Sequence, residues 1–291
     1  MDLTVLASAI VDGLLMGLVY GLVALGLALI WGVMNIINFA HGDYMVLGAY
    51  IAVLFSLLGV DAVYALPFAF AVVYLAGVAT YKLVIRRILD APFVSQIAAT
   101  FALLLLIRYG VELVAGPRTW IVESVLSGSV VRVGPLSIVC SKLFAGIVSI
   151  AVFVVVYLFL TRTYTGLAVR AIAQNRSAAM LQGIDVDRVN SIVFGLGVGV
   201  AGLAGALVAL VQPVFPELGG FYCLVAFVSV VLGGFTSVVG SFLGAIIIGL
   251  SESLSAVYIS PTLKNAIAFT VFILVLLFRP TGLFGRFGRR V

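Results

Sequence analysis

The stretch VLASAIVDGLLMGLVYGLVALGLALIW, residues 5–31, is apolar throughout except for Asp12 near its start. About 20 helical residues span the ~30 Å of hydrocarbon in a bilayer, so this run is long enough to cross one. Comparable runs follow at about 44–58, 62–83, 93–115, 138–160, 189–211, 223–236, 240–257 and 263–278. They lack the strict alternation of barrel strands, so their backbone hydrogen bonds must close within helices. Composition agrees. Of 291 residues, 64% are hydrophobic and 9% charged, against about 25% charged in a soluble domain, and the mean hydropathy is +1.32. That leaves too few polar side chains for a water-facing shell. The sequence predicts an all-α fold: a polytopic transmembrane helical bundle of about 8–10 spans, one domain over residues 1–291, with interrupted or re-entrant segments. The 223–236 run is short for a full crossing, which marks it as re-entrant or half of a broken helix. Met1-Asp2 supplies no basic leader region, so the first run is expected to be a retained span.

The formal charge of +5 and isoelectric point near 9.4 would suggest nucleic acid in a soluble chain. Here the basic residues sit mostly in short connections, where they report topology, and no nucleic-acid partner is expected. Lys82, Arg86 and Arg87 form one cluster, and Arg162, Arg170, Arg176 and Arg188 a second. Arg279, Arg286, Arg289 and Arg290 form a third at the tail. Placing all three in the cytoplasm puts the N-terminus outside and the C-terminus inside. Residues 116–135, 213–222 and 258–262 then lie outside. There Arg118, Arg132 and Lys264 are sparser and partly balanced by Glu123 and Glu217.

Gly13, Gly17 and Gly21 recur every four residues and share one helix face, where another backbone can approach closely. Gly195, Gly199 and Gly202 repeat the device, as do Gly240 and Gly244. Cys140 and Cys223 lie in or beside apolar runs and read as small buried hydrophobes rather than a disulfide. A faint echo links 42–51 with 240–247, each opening an apolar run after a glycine-containing break.

Polar residues inside this apolar chain are the functional candidates. Asn35, Asn38, His41 and Asp43 crowd a break between the first two runs. Either the break lines a translocation path or its gate, or it is a capped turn between helices. Without Cys or carboxylate partners, the lone His41 does not suggest a metal site, and none is expected. Arg108 and Glu112, four residues apart, are expected to pair along one helix near its end. Glu252, among Ser251, Ser253 and Ser255, either lines a polar path or bonds to those hydroxyls and a neighbouring helix. Asp12 poses the same question near the start of the first span.

The connection at about 162–188 is amphipathic and helix-prone, with Leu167, Ile172, Ala179 and Leu181 among Arg170, Gln174, Asn175 and Arg176. A short helix–turn element ending at Gly183 suits a partner's groove, and an interfacial helix on the headgroups is the alternative.

This connection, with Gly166, Arg170-Ala171, Asn175, Ala178-Ala179 and Gly183-Ile184-Asp185, resembles the cytoplasmic coupling loop of bacterial ABC-importer permeases. The likeness extends to their branched-chain amino acid subfamily. It includes Asn38-Phe-Ala-His-Gly-Asp43, Gly48-Ala-Tyr50, Ala201-Gly-Leu-Ala-Gly205, Gly233-Gly234, Gly240-Ser241 and Arg279-Pro-Thr-Gly-Leu-Phe-Gly285. In shared order these motifs cover about residues 9–286. The resemblance implies a bacterial inner-membrane permease subunit that carries branched-chain amino acids or related small amino acids and amides. It implies a second related permease (a heterodimer), two cytoplasmic ATPase subunits and a periplasmic or extracellular solute-binding protein. ATP and Mg would then be bound by the ATPase partners. This chain is expected to bind no cofactor and to have no enzymatic activity of its own. In keeping with that, none of Lys82, Lys142 and Lys264 sits in a Gly-x-x-x-x-Gly-Lys-Ser/Thr loop. The competing reading is a stand-alone ion-coupled secondary transporter or channel using Asp12, Asp43 or Glu252.

Overall fold

The computed structural model describes residues 3–134, 136–235, 237–279 and 281–284. Arg286, Arg289, Arg290, Pro280 and Gly285, read above as parts of the basic tail and its motif, lie outside the described residues.

Helix α1 (Leu3–Met34) is followed by a non-helical return and α2 (His41–Leu57). Next comes α3 (Ala65–Thr80), which runs through a π-helical stretch, Tyr81–Ile85, into the three-residue α4 (Arg86–Ile88). After α5 (Phe93–Ala115), strands β1 (Val130–Val133) and β2 (Leu136–Val139) form an antiparallel hairpin that pairs Val131 with Ile138. Then follow α6 (Cys140–Arg162), α7 (Tyr164–Gln174), α8 (Arg176–Leu181) and α9 (Val186–Ala209). The chain continues through α10 (Leu218–Gly233), α11 (Val238–Tyr258) and α12 (Lys264–Phe278). Among the described residues, six helices are long and apolar enough to cross a membrane, and α2, α10 and α12 are shorter apolar helices. The fold is the expected polytopic helical bundle, and the hairpin, the one sheet among the described residues, departs from all-α. Val131 and Val133 alternate with Arg132 in the sequence, a signal from which strand β1 could have been found.

α1 and α9 form the centre, and every residue from Gly21 to Ile30 is buried. With no hydrophobic drive between helices in lipid, close backbone packing must hold them together. A β-carbon on Gly13 would sit 2.9 Å from Leu250 Cα of α11, and one on Gly17 2.8 Å from Ile246 Cα. Gly21 receives the Phe242 ring of the same helix. The predicted stripe is therefore the α1–α11 seam. On the other side of the molecule, Gly199 and Gly202 of α9 receive Phe70, Tyr74 and Val73 of α3. α1 and α9 themselves touch where Gly26 meets Gly197.

These contacts define two similar halves. α1–α2–α3 and α9–α10–α11 each contain a long central helix, a return, a short helix and a long helix packed against the other half's centre. α1 runs from the face bearing the hairpin to the face bearing the arginines, and α9 runs back. The halves thus form an inverted repeat of the kind that builds many transporters. The echo read between 42–51 and 240–247 is misplaced. Gly240 opens α11 and packs on Gly233, and the structural counterpart of α2 is α10.

Candidate functional site

The return after α1 does not end at the membrane face. Asn35 closes α1 in the left-handed region, at φ +52°, with its amide bonded to Trp31 O at 2.8 Å. The chain then climbs back along the bundle until His41 Nε2–H donates to Val23 O at 2.9 Å. Val23 lies eleven residues before Met34, so α2 begins about 16 Å up from the end of α1. The return is thus an Asn-capped helix end that also interrupts the helices at depth.

Protein groups satisfy the carbonyls that the interruption frees. Thr100 Oγ1 of α5 donates to Ile37 O at 3.0 Å, and the Cys223 thiol of α10 donates to Phe39 O at 3.3 Å. α10 repeats the geometry from the other side. Residues 210–217 return from the end of α9, and α10 opens where Gly219 abuts Gly42. A β-carbon on Gly42 would overlap the Gly219 carbonyl, and one on Gly219 would sit 2.8 Å from the Gly42 carbonyl carbon. Two helix N-termini therefore meet inside the bundle. The short 223–236 run is one of them, the broken helix that its length suggested.

Asp43 lies in the first turn of α2, where the helix dipole favours a carboxylate. It is fully buried, and Arg108 of α5 grips it with Nε–Oδ1 3.0 Å and Nη2–Oδ2 3.3 Å. Arg108 was expected to pair with Glu112. It instead reaches across to α2, because a fully buried carboxylate outcompetes the half-buried Glu112 for the guanidinium. Next to this pair, both amide atoms of Asn38 and Nδ1 of His41 are buried without a hydrogen-bond partner.

Glu252 is also not held by its neighbouring serines. Tyr20 OH donates to its Oε2 at 2.8 Å, and Lys264 Nζ lies 2.7 Å from its Oε1. Ser251 and Ser255 donate back to their own helix and Ser253 to Ala9 O, so those hydroxyls are taken. Asp12 forms an ion pair with Lys142. These partners come from other helices, and no local sequence pattern announces them. Lys264, which the sequence places in an outer loop, opens α12. Among the described residues no His/Cys/Asp/Glu group could hold a metal ion.

The 162–188 connection folds as the two short helices α7 and α8 on the arginine face. The Thr163 hydroxyl caps α7 through Gly166 N at 3.0 Å. A side chain at Gly166 would strike the Phe159 and Leu160 carbonyls, so the tight turn from α6 requires glycine. Asn175 Oδ1 caps α8 through Ala178 N at 2.9 Å, and Gly183 ends it at φ +79°. α7 buries Gly166, Ala168, Val169 and Ile172 against the bundle. Arg170, Asn175, Ala178 and Gly183 stay exposed, together with Leu167 and Met180, whereas Ala171 and Ile184 are half-buried and Ala179 is buried. Arg176 is tied to Asp90 at 2.8 Å, linking α8 to the turn between α4 and α5.

The model of a family described as "Branched-chain amino acid transport system / permease component" matches residues 9–276. The chain belongs to this family. It is a multi-pass membrane permease component. The high-affinity branched-chain amino acid transport system permease protein LivH of Escherichia coli K12 is 31% identical over 94% of both chains. BraD of Pseudomonas aeruginosa, named likewise, is 28% identical over 95% of both. A probable LivH of Methanocaldococcus jannaschii is 31% identical over 91% of this permease and 88% of its own length. No solved structure matches.

Proposed function

We propose that this permease is the membrane-spanning subunit of an ATP-driven importer of branched-chain amino acids in a bacterial inner membrane. Its arginine face is cytoplasmic, as are its C-terminus and the α7–α8 elbow, and its N-terminus is outside. In the assembly it pairs with a second related permease and with two ATPase subunits that bind ATP and Mg. A solute-binding protein delivers substrate to the hairpin face. The α7–α8 elbow carries the reading. Its inner side is packed on the bundle, while Leu167, Arg170 and Met180 face outward with nothing among the described residues to cover them. An ATPase groove closing on this elbow can move α6 and α9 together, because the elbow joins their ends. Nucleotide shifts the inward/outward equilibrium only to the extent that it grips the elbow differently in the two states. We assign the crossing of the α2 and α10 N-termini, around Asn38, His41 and Asp43, as the gate.

An ion-coupled carrier is the weaker reading. Asp12, Asp43 and Glu252, the carboxylates it would use, each already hold a cationic side chain. The test is leucine uptake into proteoliposomes containing the chain with its co-expressed partners. ATP inside should drive uptake. Uptake by the chain alone under an ion gradient, indifferent to ATP, would overturn the proposal. Arg170→Glu should abolish co-purification of the ATPase while leaving membrane insertion intact, and normal co-purification would remove the elbow from its role.

A further inference from the structure

Four charges outside the gate gather in one cavity of about 300 Å³, lined by Asp12, Tyr20, Lys142, Gln212, Glu252 and Lys264. It lies in the hairpin-side half of the bundle, where α1, α6, α11 and α12 converge. Two ion pairs face it, Lys142 with Asp12 and Lys264 with Glu252. The Glu252 carboxylate is the fixed member of its pair, at 10% side-chain exposure and held by the Tyr20 hydroxyl, whereas Lys264 is 42% exposed. The floor is aromatic. Tyr20 meets Tyr222 edge-on at 5.6 Å, and Tyr222 OH accepts from Gln212 Nε2 at 3.0 Å. Tyr222 is in the first turn of α10, three residues past the Gly42–Gly219 contact. Tyr222 thus lies between the cavity lining and the crossing of the two half-helices. Met16, Val211 and Val257 supply apolar wall.

We infer that this cavity is a binding site for the substrate as a zwitterion, on the reading that the chain carries aliphatic amino acids. Glu252 takes the α-ammonium in place of Lys264, Lys264 and Lys142 take the α-carboxylate, and the apolar wall takes the side chain. The physical argument is charge matching. A partly desolvated cavity holding equal numbers of carboxylates and ammoniums accepts a ligand carrying one of each by exchanging an internal ion pair for two ligand pairs. Its total charge does not change. A ligand with only one of the two charges leaves a protein charge unpaired at reduced solvation, and that is costly. The site selects for the amino-acid backbone and leaves the aliphatic group loosely specified.

The test uses the full permease–ATPase complex, purified without the solute-binding protein, with thermal unfolding read against added ligand. Leucine should raise the unfolding midpoint. At equal concentration isoamylamine, which lacks the carboxylate, and isocaproate, which lacks the ammonium, should not. Lys264→Gln and Glu252→Gln should each move the leucine response to about tenfold higher concentration or beyond, as expected for losing a charge-assisted contact. Lys264 is half-exposed, so its variant is expected to fold even where Glu252→Gln assembles poorly, and the three-ligand comparison needs no variant. Equal stabilisation by isocaproate, no stabilisation by leucine, or an unshifted leucine response in a folded Lys264→Gln complex would overturn the site. These outcomes are distinct from failure of the importer reading, which would show as wild-type proteoliposomes that take up no leucine.

Discussion

Replacing Arg108 with leucine leaves the Asp43 carboxylate buried, inside the bundle and without its cation. The wild-type pair has two hydrogen bonds, 3.0 and 3.3 Å long, and the Asp43 side chain is 1% exposed. At ~3 Å and an effective dielectric near 20 the Coulomb attraction is roughly 5 kcal/mol. Removing one member of such a pair costs about 3–5 kcal/mol, because the remaining charge must be desolvated alone. Arg108→Leu should therefore destabilise the protein by at least about 3 kcal/mol. Asp43→Asn should cost less, because Arg108, at 21% exposure, can turn toward water. The double variant removes the stranded charge and should recover much of the loss, which gives a double-mutant cycle with clear non-additivity. Reversible unfolding in mixed micelles, with all four proteins measured together, reads the cycle. If Arg108→Leu were within about 0.5 kcal/mol of wild type, or if the two losses simply added, the pair would not secure α2 and the argument would fail.

Gly42→Val should block the α2–α10 crossing and abolish both stability and uptake, since its first new atom overlaps the Gly219 carbonyl. Gly110→Ala, with nothing within 4 Å, should change stability by no more than about 0.5 kcal/mol in the same assays. Asp61, in the connection before α3, is partly buried, which works to raise its pKa. The Val125 and Val63 amides and the Ser124 hydroxyl outweigh this and hold it below the usual 3.8. A depressed folded pKa means that this tether stabilises above pH 3.8 and is lost as pH falls through the folded value. Hydrogen exchange at the Val125 amide should be slow at neutral pH and rise on acidification, and Asp61→Asn should already show fast exchange at pH 7. Cys223, buried with its thiol bonded to Phe39 O, should resist a membrane-permeant maleimide in the folded protein, while the half-buried Cys140 reacts faster. Equal labelling rates would mean that the return segment opens readily.

The helices were legible because hydrocarbon forces backbone hydrogen bonds to close within helices or barrels, so run length without alternation located the nine apolar helices among the described residues. The glycine stripe could be read for the same reason, since it reports a neighbour's backbone whichever neighbour that is. What could not be read was the identity of partners across helices. Arg108 sits one turn from Glu112 in sequence, yet it pairs with a residue 65 positions away. Glu252 is surrounded by serines in sequence but takes its hydrogen bond from Tyr20, 232 positions away. Local spacing carries no information on which of several buried charges will be desolvated together. The repeat was similarly hidden. Its copies share helix lengths and contacts rather than residues, so matching small-residue rhythm led to α11 rather than α10.

The interrupted entry to α2 also constrains how the chain is made. Asp43 emerges from the ribosome 65 residues before the arginine that neutralises it, and Gly42 emerges far ahead of Gly219. At roughly 5–20 residues per second the carboxylate waits several seconds for Arg108, and longer for α10 to close over it. During that interval a charged Asp43 at its final depth would be buried without its cation. The final depth of α2 therefore makes the first half of the chain dependent on the arrival of the second.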